Sequence, residues 1–265
     1  MKKRKIKALQ IRHPSKKCHS ASPFKVAVAR AQGRRHESAD TPCQDAVSGF
    51  CSDKLASIVL ADGAGSALYA GPGAEIVVNT VTGTLKENFK RIIRSKEAKA
   101  KHKVMDPVIR TLSEVSKRYR TELKQFAATL LFAATDGKKL LIGQLGDGRI
   151  GIRNAITGEW RSILSASKCE FFNETVFVTS RNAPDLLQLS VLSVDSTDAC
   201  VIMSDGAEES LYQRASGIFA PAVSRMSDWI PKYDRTTLES AIENNLKDVI
   251  RLKTSDDVSI GYLVY

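Results

Sequence analysis

The segment LASIVLADGAGSALYAGPGAE, residues 55–75, passes from an apolar run through small residues into a helical pattern. The run LASIVLA is typical of a buried strand, and the small residues at 63–66 predict a tight turn after it. Pro72 stands near a predicted helix start, and apolar residues recur at helical spacing between positions 77 and 92. The segment is therefore predicted to fold as strand, turn and helix, with Asp62 at the end of the strand.

Three more aspartates stand where an apolar run begins or ends. Asp147 follows KLLIGQLG, Asp205 follows ACVIMS, and Asp256 precedes VSIGYLV by one residue. An Asp-Gly pair taken alone indicates only a turn, which is our interpretation of Asp136 in ATDGKKLL. Carboxylates at the mouths of several strands, in contrast, are the ligands that Mg²⁺ and Mn²⁺ prefer. The pattern favours a metal-dependent hydrolase.

Six segments, in order along the chain, carry a family resemblance: GRRHESADTPCQDA (33–46), LADGAGS (60–66), FAATLLFAA (126–134), IGQLGDGRIGI (142–152), VIMSDGAEESL (201–211) and TSDDVSIGYL (254–263). They resemble the motifs of the metal-dependent protein phosphatases of the protein phosphatase 2C type, in a bacterial branch with His and Cys-Gln-Asp in the first motif. The resemblance spans residues 25–265. It implies an α+β fold, a four-layer α-β-β-α sandwich with two central, mainly antiparallel sheets.

The resemblance also implies a centre for two Mn²⁺ or Mg²⁺ ions, with a third ion bound more weakly. Asp62 would bridge the two ions, and Asp205 and Asp256 would hold one of them. Asp147 would bind the third ion together with Asp205, and Asp257 adds charge where the family more often has Asn. The implied metal ligands are Asp45, Asp62, Gly63 through its carbonyl, Asp147, Asp205 and Asp256.

Such a centre indicates a reaction. Two cations about 3.5–4 Å apart can share a water, lower its pKa and direct it at phosphorus, so no side-chain nucleophile is required. The resemblance thus implies a protein-serine/threonine phosphatase, a hydrolase of phosphoserine and phosphothreonine monoesters in proteins. A second hypothesis is a catalytically weak phospho-recognition or regulatory module on the same fold. Gln44 favours it, because an amide replaces an acidic residue there and contributes no charge.

The first motif departs from the family pattern at the position that binds the substrate phosphate. Most members have an arginine three residues after the motif's glycine, where this chain has His36 with Arg35 beside it. Imidazole offers one donor at most and a charge that depends on pH, whereas a neighbouring arginine could supply a bidentate fork. We expect Asp62, Asp45, His36 and Arg35 to carry catalysis, and the choice between His36 and Arg35 for the phosphate stays open.

The basic residues are concentrated in two places. The chain has a formal net charge of +11, and residues 1–25 contain nine Lys or Arg and no acid. Residues 1–24 are predicted to be a basic flexible extension before the phosphatase domain at 25–265. An acidic partner could dock on the extension. Nucleic acid is not the expected partner because aromatic interleaving is lacking, and binding that weakens steeply with salt would argue otherwise.

No stretch reaches the roughly 18 consecutive apolar residues of a membrane span, and the N-terminus shows no apolar signal core. We therefore expect a cytoplasmic monomer without a membrane span.

The second long helix is predicted at 107–124, with Asp106 as the cap and Pro107 in the first turn.

Overall fold

The computed structural model describes residues 22–164 and 175–265. The sequence also predicts a strand at 174–179. Residue 174 lies outside the described residues, as does most of the predicted basic extension, residues 1–21. In chain order the described strands are β1 (Lys25–Ala31), β2 (Ala46–Cys51), β3 (Ala56–Ala61), β4 (Leu130–Thr135), β5 (Lys139–Leu145), β6 (Arg149–Asn154), β7 (Trp160–Ile163), β8 (Gln188–Ser193), β9 (Thr197–Met203), β10 (Tyr212–Gln213), β11 (Ile218–Phe219) and β12 (Val258–Val264).

Helices cover both sides of the strands. The described α-helices are α1 (Arg34–Ser38), α2 (Ala70–Ile93), α3 (Glu97–Tyr119), α4 (Ala183–Leu186), α5 (Asp205–Leu211), α6 (Pro221–Trp229) and α7 (Arg235–Asn245). A short 3₁₀ turn at Leu123–Phe126 follows α3, and a π-helical turn at Leu246–Ile250 continues α7.

Two antiparallel sheets lie face to face in the described part of the chain. One has the strand order β1-β12-β9-β6-β7, and the other has the order β2-β3-β4-β5-β8. Ile58 and Leu60 of β3 point between the sheets, whereas Val59 and Ala61 point to the helical layer formed by α2 and α3. The opposite sheet packs its outer face against α5, α6 and α7. The predicted four-layer sandwich is confirmed.

The central strands are apolar on both faces because each face meets another layer. A strand with one wet face alternates apolar and polar residues, but β3 and β4 are buried at every position. Burying one such Leu or Ile side chain contributes about 1.5–3 kcal/mol, which makes these strands the stable part of the scaffold. The ends of the same strands carry the aspartates predicted from the sequence.

The structure changes the boundaries of several predicted elements. Helix α3 begins at Glu97 and contains Pro107 in its interior, so the predicted cap at Asp106 is wrong. Burial of Ala100, Val104 and Met105 continues the helix before the proline and offsets the hydrogen bond that the proline cannot donate.

Residues 175–179 form no strand. The edge strands β2 and β8 were not predicted, because half-exposed segments with Ser and Gly give a weak strand signal.

None of the helices within residues 22–164 and 175–265 is long and apolar enough to cross a membrane.

Two glycines of α2 should respond to alanine in opposite ways. A Cβ on Gly73 would lie 2.4 Å from the carbonyl oxygen of Phe126, whereas a Cβ on Gly83 would meet no atom within 4 Å. We predict that Gly73→Ala lowers the free energy of unfolding by about 1–3 kcal/mol through overpacking. Gly83→Ala should raise it by about 0.5–1 kcal/mol through helix propensity. Urea denaturation measures both, and a Gly73→Ala variant as stable as the parent would contradict this packing.

Candidate metal centre

Loops from both sheets meet at one end of the sandwich and enclose a small cleft. Its volume is about 140 Å³, and its walls include Arg35, Gln44, Asp62, Gly63, Ala64, Gly65, Thr129, Asp147, Thr175, Phe177, Asp205 and Asp256. The four aspartates that end or precede apolar runs in the sequence therefore lie on one cleft. A larger groove of about 550 Å³ lies between β1 and α7, and none of these four aspartates lines it.

Strand register brings the aspartates together in pairs. Ala46 of β2 lies opposite Ala61 of β3, so Asp45 and Asp62 are neighbours just beyond the paired residues. Arg149 of β6 lies opposite Met203 of β9, and the same geometry sets Asp147 beside Asp205. One pair belongs to each sheet, and the face-to-face packing of the sheets brings the two pairs together.

Asp62 is held at its backbone by Thr129. The Asp62 N–H donates to Thr129 Oγ1 over 3.0 Å, and the Thr129 N–H donates to the Asp62 carbonyl over 2.8 Å. The next residue must be glycine, because a Cβ on Gly63 would lie within 2.8 Å of the carbonyl oxygens of Ala70 and Gln44. The strand end is thus fixed tightly while the Asp62 carboxylate faces the cleft.

The remaining cleft carboxylates are placed by loops and a helix start. Asp205 is the first residue of α5, and its Oδ1 accepts the N–H of Gly206 over 2.6 Å. Asp147 Oδ2 accepts the hydroxyl of Thr175 over 2.9 Å. Asp256 precedes β12 and is about 41% exposed in its side chain. Each carboxylate has at least one oxygen that can bind a cation in the cleft.

Asp45 lies behind the cleft wall and is only 1% exposed. Neither of its buried carboxylate oxygens makes a hydrogen bond of standard geometry to a described residue. Burial raises the pKa of Asp45 to about 7; the nearby Ser259 hydroxyl lowers it, and the negative charges of Asp257 and Asp205 raise it. A buried, unpartnered carboxylate is costly, so its presence needs an explanation.

The cleft aspartates are electrostatically frustrated. Burial raises the pKa of Asp62 well above its ordinary value, and the charges of Asp45 and Asp205 add to this. The pKa of Asp205 is also raised, again by burial first and by Asp147 and Asp256 in addition. Like charges held this close favour either protonation or a bound cation.

The carboxylates of the cleft fit a divalent metal centre, because the oxygens of Asp45 make no hydrogen bond of standard geometry and the cleft aspartates repel one another. Within residues 22–164 and 175–265, no three His, Cys, Asp or Glu side chains form a ready-made metal cage. Mg²⁺ does not require one, because it keeps several waters and takes one or two carboxylates. Paired carboxylates around an open cleft satisfy that requirement.

The first motif is anchored by Asp257, whose position in the site was not predicted. Asp257 is 3% exposed, and its carboxylate accepts the N–H of Gly33 and the N–H of Gln44, each over 2.6 Å. It also lies 2.9 Å from Nδ1 of His36, which is buried and does not line the cleft. Asp257 therefore joins the start of the first motif to its end and points away from the cleft.

The side chain of Arg35 points to a different side of α1 from that of His36. Its side chain is 58% exposed, lines the cleft, and has Nη2 3.5 Å from Asp256 Oδ1. The short helix α1 causes the divergence, because consecutive helical residues point about 100° apart. No pattern in the sequence distinguished the two side chains, since their orientation depends on the contact with Asp257.

Comparisons with known proteins agree on one family. A family model described as Protein phosphatase 2C matches residues 32–249. Serine/threonine-protein phosphatase 3 of Escherichia coli (strain K12) is 28% identical over 171 residues, which cover 62% of this chain and 66% of that protein. The match thus spans just under two thirds of the relative's length.

Solved structures share the fold at low identity. The S. agalactiae serine/threonine phosphatase has a TM-score of 0.59 and 15% identity over 91% of this chain and 99% of that chain. The catalytic domain of the serine/threonine protein phosphatase PstP with two manganese ions has a TM-score of 0.60 and 15% identity, covering 91% and 97% of the two chains. A C. elegans sex-determining protein has a TM-score of 0.59 and 14% identity over 92% and 65%.

The raised pKa of Asp45 predicts a pH-dependent stability of the metal-free protein. Between about pH 4 and 7 the folded chain keeps a proton that the unfolded chain has lost, so stability falls as the pH rises through this range. In chelator, the free energy of unfolding of the parent should therefore fall relative to that of Asp45→Asn between pH 5 and pH 8, by on the order of 2–4 kcal/mol.

Urea denaturation at both pH values, in chelator, measures this difference. Asp53→Asn is the control, because Asp53 is exposed and outside the cleft. Mn²⁺ at pH 8 should stabilise the parent by binding the folded state. Parallel pH curves for the parent and Asp45→Asn would show that burial of this carboxyl has no such cost.

Proposed function

The chain belongs to the protein phosphatase 2C family, and on that basis we propose that it hydrolyses phosphoserine and phosphothreonine in proteins at a centre of two Mn²⁺ or Mg²⁺ ions. The observation that carries this proposal is the presence of Asp62, Asp205 and Asp256 on one cleft, backed by the unpartnered carboxylate of Asp45. The name of the E. coli relative supports the reaction, and the manganese ions of PstP support the metal. We assign the phosphatase domain to residues 25–265.

The carboxylates of the cleft would hold the ions. Bound ions of this kind activate water for attack on phosphorus and neutralise the charge of the phosphate. Asp62 belongs to one aspartate pair and also interacts with Asp205 of the other, so it is the candidate that would bind both ions. The other proposed ligands are Asp45, the carbonyl of Gly63, Asp205, Asp256 and, for a weaker third ion, Asp147.

The residues around the ligands keep the carboxylates in place before substrate arrives. Thr129 fixes the backbone of Asp62, and Thr175 orients Asp147. Gln44 lies on the cleft wall, and its Oε1 is buried without a partner among the described residues. An amide oxygen in that position can accept a hydrogen bond from a water held at the cleft wall.

We assign the phosphate to Arg35 and a positioning role to His36. The guanidinium of Arg35 is exposed on the cleft wall and offers a planar fork of donors that matches phosphate oxygens. His36 is buried against Asp257 and holds α1 on the segment that precedes β12. The cleft volume of about 140 Å³ suits a phosphorylated side chain.

Metal-dependent hydrolysis is the direct test. We expect the protein to hydrolyse an aryl phosphate and a phosphoserine peptide with Mn²⁺ and to lose both activities in chelator. Asp62→Asn should lower turnover at least 100-fold and reduce Mn²⁺ binding measured by calorimetry, since even partners of metal ligands are worth about 10–100-fold. Asp136→Asn is the matched control, because Asp136 also precedes glycine but forms the β4–β5 turn and contacts Lys138 and Lys139.

Two outcomes would argue against the proposal. Hydrolysis that survives complete chelation would exclude the metal centre as its source. Mn²⁺ binding without turnover of any phosphomonoester would instead favour the phospho-recognition module, in which phosphopeptides bind and dissociate unchanged.

Arg35 and His36 should differ in their kinetic effects. Arg35→Ala removes charge-assisted hydrogen bonds of about 1.5–3 kcal/mol, so we expect KM for the aryl phosphate to rise at least tenfold with an unchanged unfolding midpoint. His36→Ala should lower the free energy of unfolding by about 1–3 kcal/mol, because the buried Asp257 carboxylate loses a partner. If His36→Ala raised KM as much as Arg35→Ala at full stability, the phosphate would belong to His36.

A further inference from the structure

A second exposed arginine contacts the helix that begins at the cleft residue Asp205. Arg214 lies in the turn between β10 and β11, directly after the two residues of β10. Its Nε donates to Glu208 Oε1 over 2.8 Å, and its side chain is 68% exposed. The two terminal nitrogens of its guanidinium make no hydrogen bond to any residue that the structure describes.

Glu208 does not need Arg214 as a partner. Glu208 is only 1% exposed, and the same Oε1 accepts bonds from Arg149 Nε over 3.3 Å and Arg149 Nη2 over 2.6 Å. Arg149 is itself buried, stacks over the ring of Tyr212 at 4.5 Å, and donates to Ser162. One carboxylate thus faces two guanidinium groups, and the exposed one is surplus to charge neutralisation. Glu208 therefore keeps a buried partner in Arg149 when the exposed Arg214 is removed.

The position of Arg214 relative to the cleft follows from its neighbours. Glu208 is three residues after Asp205 on α5, so the two side chains share one face of the helix within a turn. Arg149 is two residues after Asp147 on the way into β6. Besides Glu208, the charges of Asp205 and Asp147 raise the pKa of the Arg214 guanidinium. Arg214 therefore lies on the Asp147 and Asp205 side of the cleft.

Arg35 occupies the other side, next to Asp256. Arg35 lines the cleft, whereas Arg214 lies outside the cleft wall, so two exposed guanidinium groups stand near the four cleft carboxylates from different sides. The reacting phosphate uses one arginine, so a free fork of donors remains available for a second anion on the same substrate.

We propose that Arg214 binds a second anionic group, a carboxylate or another phosphate, on the residues that flank the phosphoserine or phosphothreonine. The inference rests on the proposed function and assigns its substrate class: phosphosites in acidic or multiply phosphorylated segments. Arg214 is a specificity residue here, because it contacts the substrate outside the reacting phosphate.

The experiment compares three phosphoserine peptides that differ only in flanking residues: alanines, glutamates or further phosphoserines. For the parent we expect kcat/KM to be about 5- to 20-fold higher for the anionic peptides than for the alanine peptide, as expected for one charge-assisted contact. Arg214→Ala should abolish this preference, Arg214→Glu should reverse it, and Arg214→Lys should retain part of it. The glutamate and phosphoserine arms show which anion is preferred.

Arg110→Ala is the matched control, because Arg110 is exposed on α3 on the other helical layer and makes no ion pair among the described residues. It should keep the preference and the parent's unfolding midpoint. The preference should also weaken as ionic strength rises, because exposed charges are screened. A merely structural role for Arg214 would change the unfolding midpoint and leave the ratio between peptides unaltered.

Binding of the same fluorescent peptides, measured by anisotropy, separates this inference from the proposed function. A protein that does not hydrolyse them but binds the anionic peptides through Arg214 refutes the phosphatase assignment and supports the role of Arg214. A parent without preference for anionic flanks, in both turnover and binding, overturns the role of Arg214. A preference lost equally in Arg110→Ala overturns it as well.

Discussion

The repulsion among carboxylates at one end of the sandwich is the constraint on which the site depends. Two antiparallel registers set Asp45 beside Asp62 and Asp147 beside Asp205, and sheet packing brings the pairs together. Burial and like charge raise the pKa of Asp45, Asp62 and Asp205. The apolar layers behind them, in which β3 and β4 are buried throughout, supply stability that offsets the cost of this arrangement.

Asp257 links the chain's N-terminal motif to its last strand. One carboxylate binds the backbone at Gly33 and Gln44 and contacts His36, although more than 200 residues separate the partners in sequence. The same contact turns Arg35 toward the cleft. The departures from the family pattern at His36 and Asp257 therefore form one interaction and need to be interpreted together.

The sequence predicted the elements with strong local signals. The apolar runs of β3, β9 and β12 and the helical repeat of α2 reappear at nearly the predicted bounds, because burial on both faces excludes polar residues. The four aspartates were found because each of them stands beside an apolar run of this kind. The start of α3 was missed, since packing on α2 outweighed the local preference of Pro107. The edge strands β2 and β8 were missed because their pairing is decided by a neighbouring strand.

The sequence alone therefore determined the buried strands and the aspartates at their ends, since apolar periodicity and the position of aspartates are local properties, and its family resemblance predicted the two-sheet sandwich. Only the tertiary structure decided which side chains face the cleft. It buries His36 on Asp257, exposes Arg35, and places Arg214 beside Glu208. These orientations arise from contacts between segments far apart in the chain, where neither spacing nor composition carries a signal.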